Sequence, residues 1–316
     1  MTPENKIQNN IIPELSQNIN HHPFVSIIIP VYNDENGIKD TLLALFNQNY
    51  PGDRFEIIVI DNNSTDDTHK IILETALDFK GNIVFEKEKR TGSYTARNKG
   101  LQISKGEIIA FIDSNMTVKP DWLQKGVKRM FREKVDYLGC RIQVRPSRNK
   151  PSLCERYNIA LGFPVKDYME IDGYAPTACL FVKRSVIDAA RKFDDRLLSG
   201  GDVEFGNRVR NHNFKMFFDP DNIMYHPARS SFTSLLKKQK RVTHGQIELR
   251  RLFPERFKKN GPKDIFICLI QCLPIASPKV LLKLSKSKTD FLPMFVLFYI
   301  LRLYTNGLKL IHKCIF

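Results

Sequence analysis

The sequence predicts an α/β fold in which a mostly parallel central sheet is flanked by helices, and three observations point to it. Short β-branched runs alternate with amphipathic segments from Phe24 onward. The runs are apolar throughout rather than alternating, as expected of strands buried on both faces. Polar residues cluster just after them, where open α/β sheets place their ligands. At 316 residues, with 42% hydrophobic and 26% charged side chains, the chain can bury a large core and exceeds one average domain.

Residues 1–23 are polar and Asn-rich, punctuated by Pro3, Pro13 and Pro23, and read as a mobile lead-in. Val25–Ile29 forms the first strand and stops at Pro30; a helix pattern follows over Gly37–Gln48, and Glu56–Ile60 is the second strand. A helix over 64–79, a strand at Ile83–Glu86, a helix over 93–104 and a strand at Ile108–Ile112 continue the alternation. Farther on, strands are expected at Tyr137–Val144 and Cys179–Lys183, with helices at Ser185–Lys192 and after Gly200-Gly201. The main domain therefore spans 24–227.

Charge separates the rest. The formal net charge is +15, yet residues 228–316 hold 18 basic and 4 acidic side chains, leaving 1–227 nearly neutral. Such asymmetry argues against a nucleic-acid binder and for a basic tail at an anionic membrane surface. The apolar stretches Ile265–Leu282 and Phe291–Ile300 are broken by Pro274, Pro278, Lys279 and Arg302, short of the ~20 residues that cross a bilayer. Amphipathic helices in the headgroup region are expected, with a helical cap buried on the domain as the other reading. Six cysteines without metal-like spacing suggest reduced thiols and a cytosolic setting. Nothing at the N-terminus has the blocks of a signal peptide.

Candidate chemistry lies at the strand ends. Asp61 and Asn62 follow the second strand and suit either hydrogen bonds to a base and ribose or an N-cap. Asp113 and Asn115 end the Ile108–Ile112 run, where alternate residues present two oxygens to one side, a donor set for a hard divalent cation such as Mg²⁺ or Mn²⁺. Gly92 and Ser93 open a helix with Arg97 on its next turn, which suits a diphosphate or ordinary capping. Asp202 and Glu204, after two glycines, are candidate general bases or helix N-terminal charges. His226 is a metal or phosphate ligand or a structural histidine.

In order, Ser26-Ile-Ile-Ile-Pro-Val-Tyr-Asn33, Ile57-Ile-Val-Ile-Asp-Asn-Asn-Ser-Thr-Asp66, Ala96-Arg-Asn-Lys-Gly100, Phe111-Ile-Asp-Ser-Asn115 and Gly201-Asp-Val-Glu-Phe205 resemble glycosyltransferase family 2 over about 24–227. The resemblance implies a GT-A fold and inverting transfer from a nucleoside-diphosphate sugar, with a UDP-sugar as the leading donor, aided by Mg²⁺ or Mn²⁺. It implies that Pro30, Tyr32, Asn33, Asp61 and Asn62 line the nucleotide pocket, with Arg97 near the donor. It places Asp113 at the metal and diphosphate, aided by Asn115 and His226. Thr177 and Ala178 fall near donor sugar and acceptor, and Asp202 matches the catalytic base, with Glu204 in reserve. Asn115 replaces the commoner second aspartate, and Gly201 replaces a glutamate often found before the base.

The expected product is a surface polysaccharide or lipid-linked glycan, made at the cytosolic face of a membrane. A weakened relative that binds nucleotide-sugar or a partner without turnover is the alternative, motivated by Asn115 and Gly201. A nicotinamide-dependent oxidoreductase is disfavoured because Pro30-Val-Tyr-Asn33, not a Gly-x-Gly-x-x-Gly turn, follows the first strand.

Overall fold

The computed structural model describes residues 22–257, 270, 273, 278–285 and 290–315. The lead-in over 1–21 and most of the stretch 265–282 lie outside them.

The core grows from strands β1 (Val25–Val31) and β2 (Phe55–Asp61), in which every residue is buried. They pair in parallel, and β2 pairs in parallel with β3 (Asn82–Lys87). On the other flank, β1 pairs in parallel with β4 (Ile108–Ile112). Helix α1 (Ile38–Phe46) buries Ile38, Thr41, Leu42 and Leu45, a single stripe at helical spacing, so it lies on its apolar face. Helix α2 covers Thr68–Ala76 and α3 Ser93–Ile103. Helix α2 starts later than the expected position 64 because polar turns hold the chain before it. Ser64 N–H donates to Asp61 Oδ1, and Thr68 N–H to Asp66 Oδ1.

The second half of the sheet is mixed. After β5 (Thr117–Val118) and α4 (Trp122–Arg132) come β6 (Tyr137–Arg145), α5 (Leu153–Leu161) and β7 (Cys179–Lys183), then α6 (Arg184–Ala190), α7 (Gly201–Asn211) and β8 (Met216–Pro227). The strand order is β3-β2-β1-β4-β7-β6-β8-β5. Strand β7 runs antiparallel to both β4 and β6, whereas β6 and β8 are parallel. The sequence signals a parallel sheet because an all-apolar run records burial on both faces and carries no direction.

This topology builds one rim. The carboxyl ends of β1, β2, β4 and β8 reach it, and the reversed β7 presents its start there, Cys179 opposite Ile112. The short β5 crosses over to pair antiparallel with β8, Thr117 opposite Tyr225, which draws Asn115 toward His226. Trp122 is fully buried against Phe181, ring centroids 4.8 Å apart. Gly126 makes that contact possible, since a Cβ there would lie 2.6 Å from Phe181 Cζ.

The C-terminal region comprises α8 (Phe232–Leu252), α9 (Pro278–Leu284) and α10 (Phe291–Ile315). A second core joins Tyr157 of α5 and Leu235 of α8 to Leu284, Met294, Leu297 and Leu301. Each such side chain stabilises this docking by about 1.5–3 kcal/mol. Helix α10 continues through Arg302, where the sequence pattern suggests a stop. Phe291–His312 is thereby long and apolar enough to cross a membrane by length and composition. One face is packed, as a helical cap would be, while Leu292, Val296, Ile300, Leu303 and Ile311 remain exposed.

Candidate active site

A cavity of about 520 Å³ opens on the rim. Pro30, Tyr32 and Asn62 line it from the ends of β1 and β2, Arg97 from α3, Asp113 and Asn115 from the end of β4, Thr177 and Ala178 from the segment before β7, Asp202 from α7 and His226 from β8. Of the residues singled out in the sequence, Asn33, Asp61 and Glu204 are not part of its wall.

Asn62 acts as a clamp. Its amide donates to the carbonyls of Glu88 and Arg90 at 3.0 and 2.7 Å and accepts from Gly92 N–H at 2.8 Å, fixing the loop that enters α3. Gly92 sits at φ +133°, where a side chain is strained. Asp61 is buried behind the wall with Oδ1 taken by Ser64 N–H at 2.9 Å, so it shapes the turn. Asn33, at φ 47°, trades hydrogen bonds with Ser64 and Thr65 outside the cavity. Tyr32 lines the cavity and is 59% exposed.

At the centre, Arg97 Nη2 donates to Asp113 Oδ1 at 2.6 Å. Arg97 is nearly fully buried, and its Nε finds no partner among the described residues. A buried guanidinium with a spare donor is poised for a further anionic oxygen. Beside it, Ser114 Oγ donates to Asp34 Oδ2 at 2.5 Å, and burial holds the Asp34 carboxyl above its usual range.

His226 is buried at the end of β8. Its Nδ1 lies 2.6 Å from the Pro227 carbonyl, which can only accept, so Nδ1 carries the proton and Nε2 keeps its lone pair. Burial lowers its pKa and Arg229 adds to the effect, favouring the neutral ring.

Asp202 stands in the first turn of α7, held by Val203 N–H at 3.0 Å and by Tyr94 of α3. Burial pushes its carboxyl up, against the lowering influence of Arg97 and Tyr94. Glu204, the reserve base, points elsewhere: fully buried, it pairs with Arg208 at 2.7 Å and Arg256 at 2.8 Å. The reason is helical geometry. Two residues on, a side chain faces away from its predecessor.

Several wall residues escape the sequence reading. Tyr94 lies one turn before Arg97, a spacing that signals a shared face. Arg229, and Lys238 and Arg241 of α8, enter from the basic C-terminal region, so that region contributes to the cavity. Their charge pattern alone resembles a membrane-facing surface, which hides them.

Among the described residues no three His, Cys, Asp or Glu side chains gather into a metal centre. A cation here would draw on Asp113, the Asn115 amide oxygen, His226 Nε2 and oxygens from a ligand.

The family model for glycosyl transferase family 2 matches residues 26–188. Glycosyltransferase AglE of Haloferax volcanii is 36% identical over 73% of this chain and 78% of that protein. The Methanococcus voltae dolichyl N-acetyl-alpha-D-glucosaminyl phosphate 3-beta-D-2,3-diacetamido-2,3-dideoxy-beta-D-glucuronosyltransferase is 25% identical over 74% of this chain and 78% of its own. In fold, the chain is similar to the mannosyltransferase PcManGT from Pyrobaculum calidifontis in complex with GDP-Man and Mn²⁺. The TM-score is 0.62 at 17% identity, covering 92% of this chain and 88% of that one. Similarity to S. aureus TarS in complex with UDP-GlcNAc is lower, TM-score 0.54 at 19% identity, over 90% and 88% of the two chains. The GT-A fold and the expected enzyme class thus stand together, and the chain belongs to glycosyltransferase family 2.

Proposed function

We propose that the protein is an inverting glycosyltransferase that moves a sugar from a nucleoside-diphosphate sugar to a hydroxyl of a lipid-linked glycan or surface polysaccharide. The observation that carries this reading is the convergence of Asp113, Asn115, Asp202 and His226, from three separate segments, on one cavity. The nucleoside lies against Pro30 and Tyr32, with its diphosphate near Arg97. Asp202 takes the proton of the acceptor hydroxyl as that oxygen attacks the anomeric carbon from the face opposite the diphosphate. A new C–O bond forms as the bond to phosphate breaks, and a single displacement inverts the centre.

The residues fit a divalent cation: a carboxylate, an amide oxygen and a neutral imidazole nitrogen, completed by diphosphate oxygens, suit Mg²⁺ or Mn²⁺. When bound, it offsets charge on the departing phosphate. The Mn²⁺ in the Pyrobaculum structure supports this choice. The neighbours that hold GDP-Man and UDP-GlcNAc support a nucleotide-sugar donor, for which a UDP-sugar is the first candidate. The name of the Methanococcus voltae relative supports a lipid-linked acceptor. The exposed apolar face of α10, amid a basic surplus, supports peripheral attachment to the cytosolic face of a membrane.

The test is a screen of nucleotide-sugars for hydrolysis and transfer, run on the protein and on Asp202→Asn. Transfer is expected to fall by about 10²–10⁴ in the variant while nucleotide binding persists. Equal activity in both would remove Asp202 from the mechanism. Donor binding with no turnover under varied acceptors would favour the weakened relative.

A further inference from the structure

Arg229 follows β8, and Lys238 and Arg241 sit three residues apart on α8, neighbours on one helix face; all three line the cavity. Among the described residues none of them has a carboxylate partner. The Lys238 ammonium lies 4.7 Å over the Phe163 ring, which also packs 5.3 Å from His226. Arg241 Nη1 reaches Ser199 Oγ at 3.3 Å. Burial and the two arginines push Lys238 down to about 8, and burial and Arg241 lower Arg229. Lys238 and Arg229, partly desolvated like charges without a counter-ion, are costly unless an anion joins them.

The donor does not account for that anion. Its nucleoside wall is at the ends of β1 and β2, and three strands, β4, β7 and β6, stand between β1 and β8 in the sheet. Its diphosphate has Arg97 and a divalent cation near Asp113 to balance it. The remaining cations come from other segments, Arg229 from the stretch after β8 and Lys238 and Arg241 from α8. Helix α8 packs on α10, where Thr305 Oγ1 donates to Gln239 Oε1 at 3.4 Å, next to Lys238. The helix that carries Lys238 and Arg241 is thus docked on the apolar C-terminal helix.

Building on the glycosyl-transfer reading, we propose that Arg229, Lys238 and Arg241 form a site for a phosphoryl group on the acceptor, so that the acceptor is a lipid-phosphate-linked molecule. The phosphate anchors the lipid end while the hydroxyl reaches Asp202.

The experiment titrates the full chain in detergent with farnesyl phosphate, farnesol and inorganic phosphate, with and without saturating UDP or GDP and Mn²⁺. Farnesyl phosphate is expected to bind at least about tenfold more tightly than either control, and undisturbed by nucleotide. Lys238→Gln and Arg229→Gln are each expected to weaken it about tenfold or more, with Lys238→Arg restoring it. Thermal melts check that each variant is folded, and the two positions serve as independent readings. The proposal is overturned if nucleotide displaces farnesyl phosphate, if the variants weaken nucleotide binding equally, or if either control binds as well. Failure of nucleotide to bind while farnesyl phosphate binds would count against glycosyl transfer and leave the phosphate site standing.

Discussion

The Tyr94 hydroxyl meets Asp202 twice, accepting from its backbone N–H at 3.2 Å and donating to its Oδ1 at 3.3 Å. The ring that delivers this hydroxyl lies where a side chain at position 201 would go, since a Cβ there would sit 2.7 Å from Tyr94 Cε2. Glycine before Asp202 is therefore the condition for the Tyr94 clamp. What reads in the sequence as a lost acid is a change of partner for the base.

Tyr94→Phe tests the clamp. The hydroxyl lowers the Asp202 pKa, so its removal raises an already elevated value. A base must be ionised to act, so the acidic limb of the pH–rate profile is expected to move to higher pH, with little change in donor KM. An unmoved limb would show that Asp202 does not set it. Gly201→Ala, which displaces the ring, is expected to shift the limb in the same direction.

Asn115→Asp adds a negative charge beside Asp113. Two carboxylates attract a divalent cation more strongly than a carboxylate and an amide. Mn²⁺ titration in the presence of UDP is expected to show tighter binding by about tenfold, close to 1.4 kcal/mol. Unchanged affinity would place the cation away from Asn115.

Glu204→Gln separates structure from catalysis. The carboxylate binds Arg208 and Arg256, and breaking a buried pair leaves uncompensated charge. The variant is expected to lose about 3 kcal/mol of stability in denaturant while its acidic limb stays where it was. A shifted limb with unchanged stability would return Glu204 to the list of bases.

Much of this was legible in the sequence. Apolar runs ended by Asn33, Asp61 and Asp113 mark the rim, because β-strands buried on both faces leave polar residues only at their ends. Helix phase was legible too, since two acids two residues apart on the helix expected after Gly200-Gly201 face different ways, but a motif that names both obscures it. Lys238 and Arg241 were illegible for another reason. Their distance in sequence from Asp113 is closed by the packing of α8 and α10, and a basic run carries no record of that contact.

The exposed face of α10 yields a separable prediction. Leu292, Val296 and Ile300 are 67%, 47% and 44% exposed, so aspartate at all three leaves the second core in place. Substitutions at such surface positions usually change stability by about 0.5 kcal/mol or less. Release from anionic vesicles with an unchanged Tm is the expected result. Retention on the vesicles would assign membrane attachment to another surface.

Lys238→Met opposes stability and binding in one substitution. Lys238 faces Arg229 and Arg241, with His226 nearby, and titrates near 8 in the fold against an ordinary value of 10.5. Below about pH 8 the folded protein holds a charged lysine that burial disfavours; between the two values the unfolded chain binds more protons, so stability from this group rises with pH. The gain in Tm from methionine is therefore expected to be full below pH 8 and to fade toward 10.5. Farnesyl phosphate binding to the unsubstituted protein should follow the opposite course, weakening above about pH 8 as the ammonium loses its proton. Thermal melts and titrations at pH 7 and pH 9 read both effects. A Tm gain that does not diminish with pH would mean that methionine acts by packing alone.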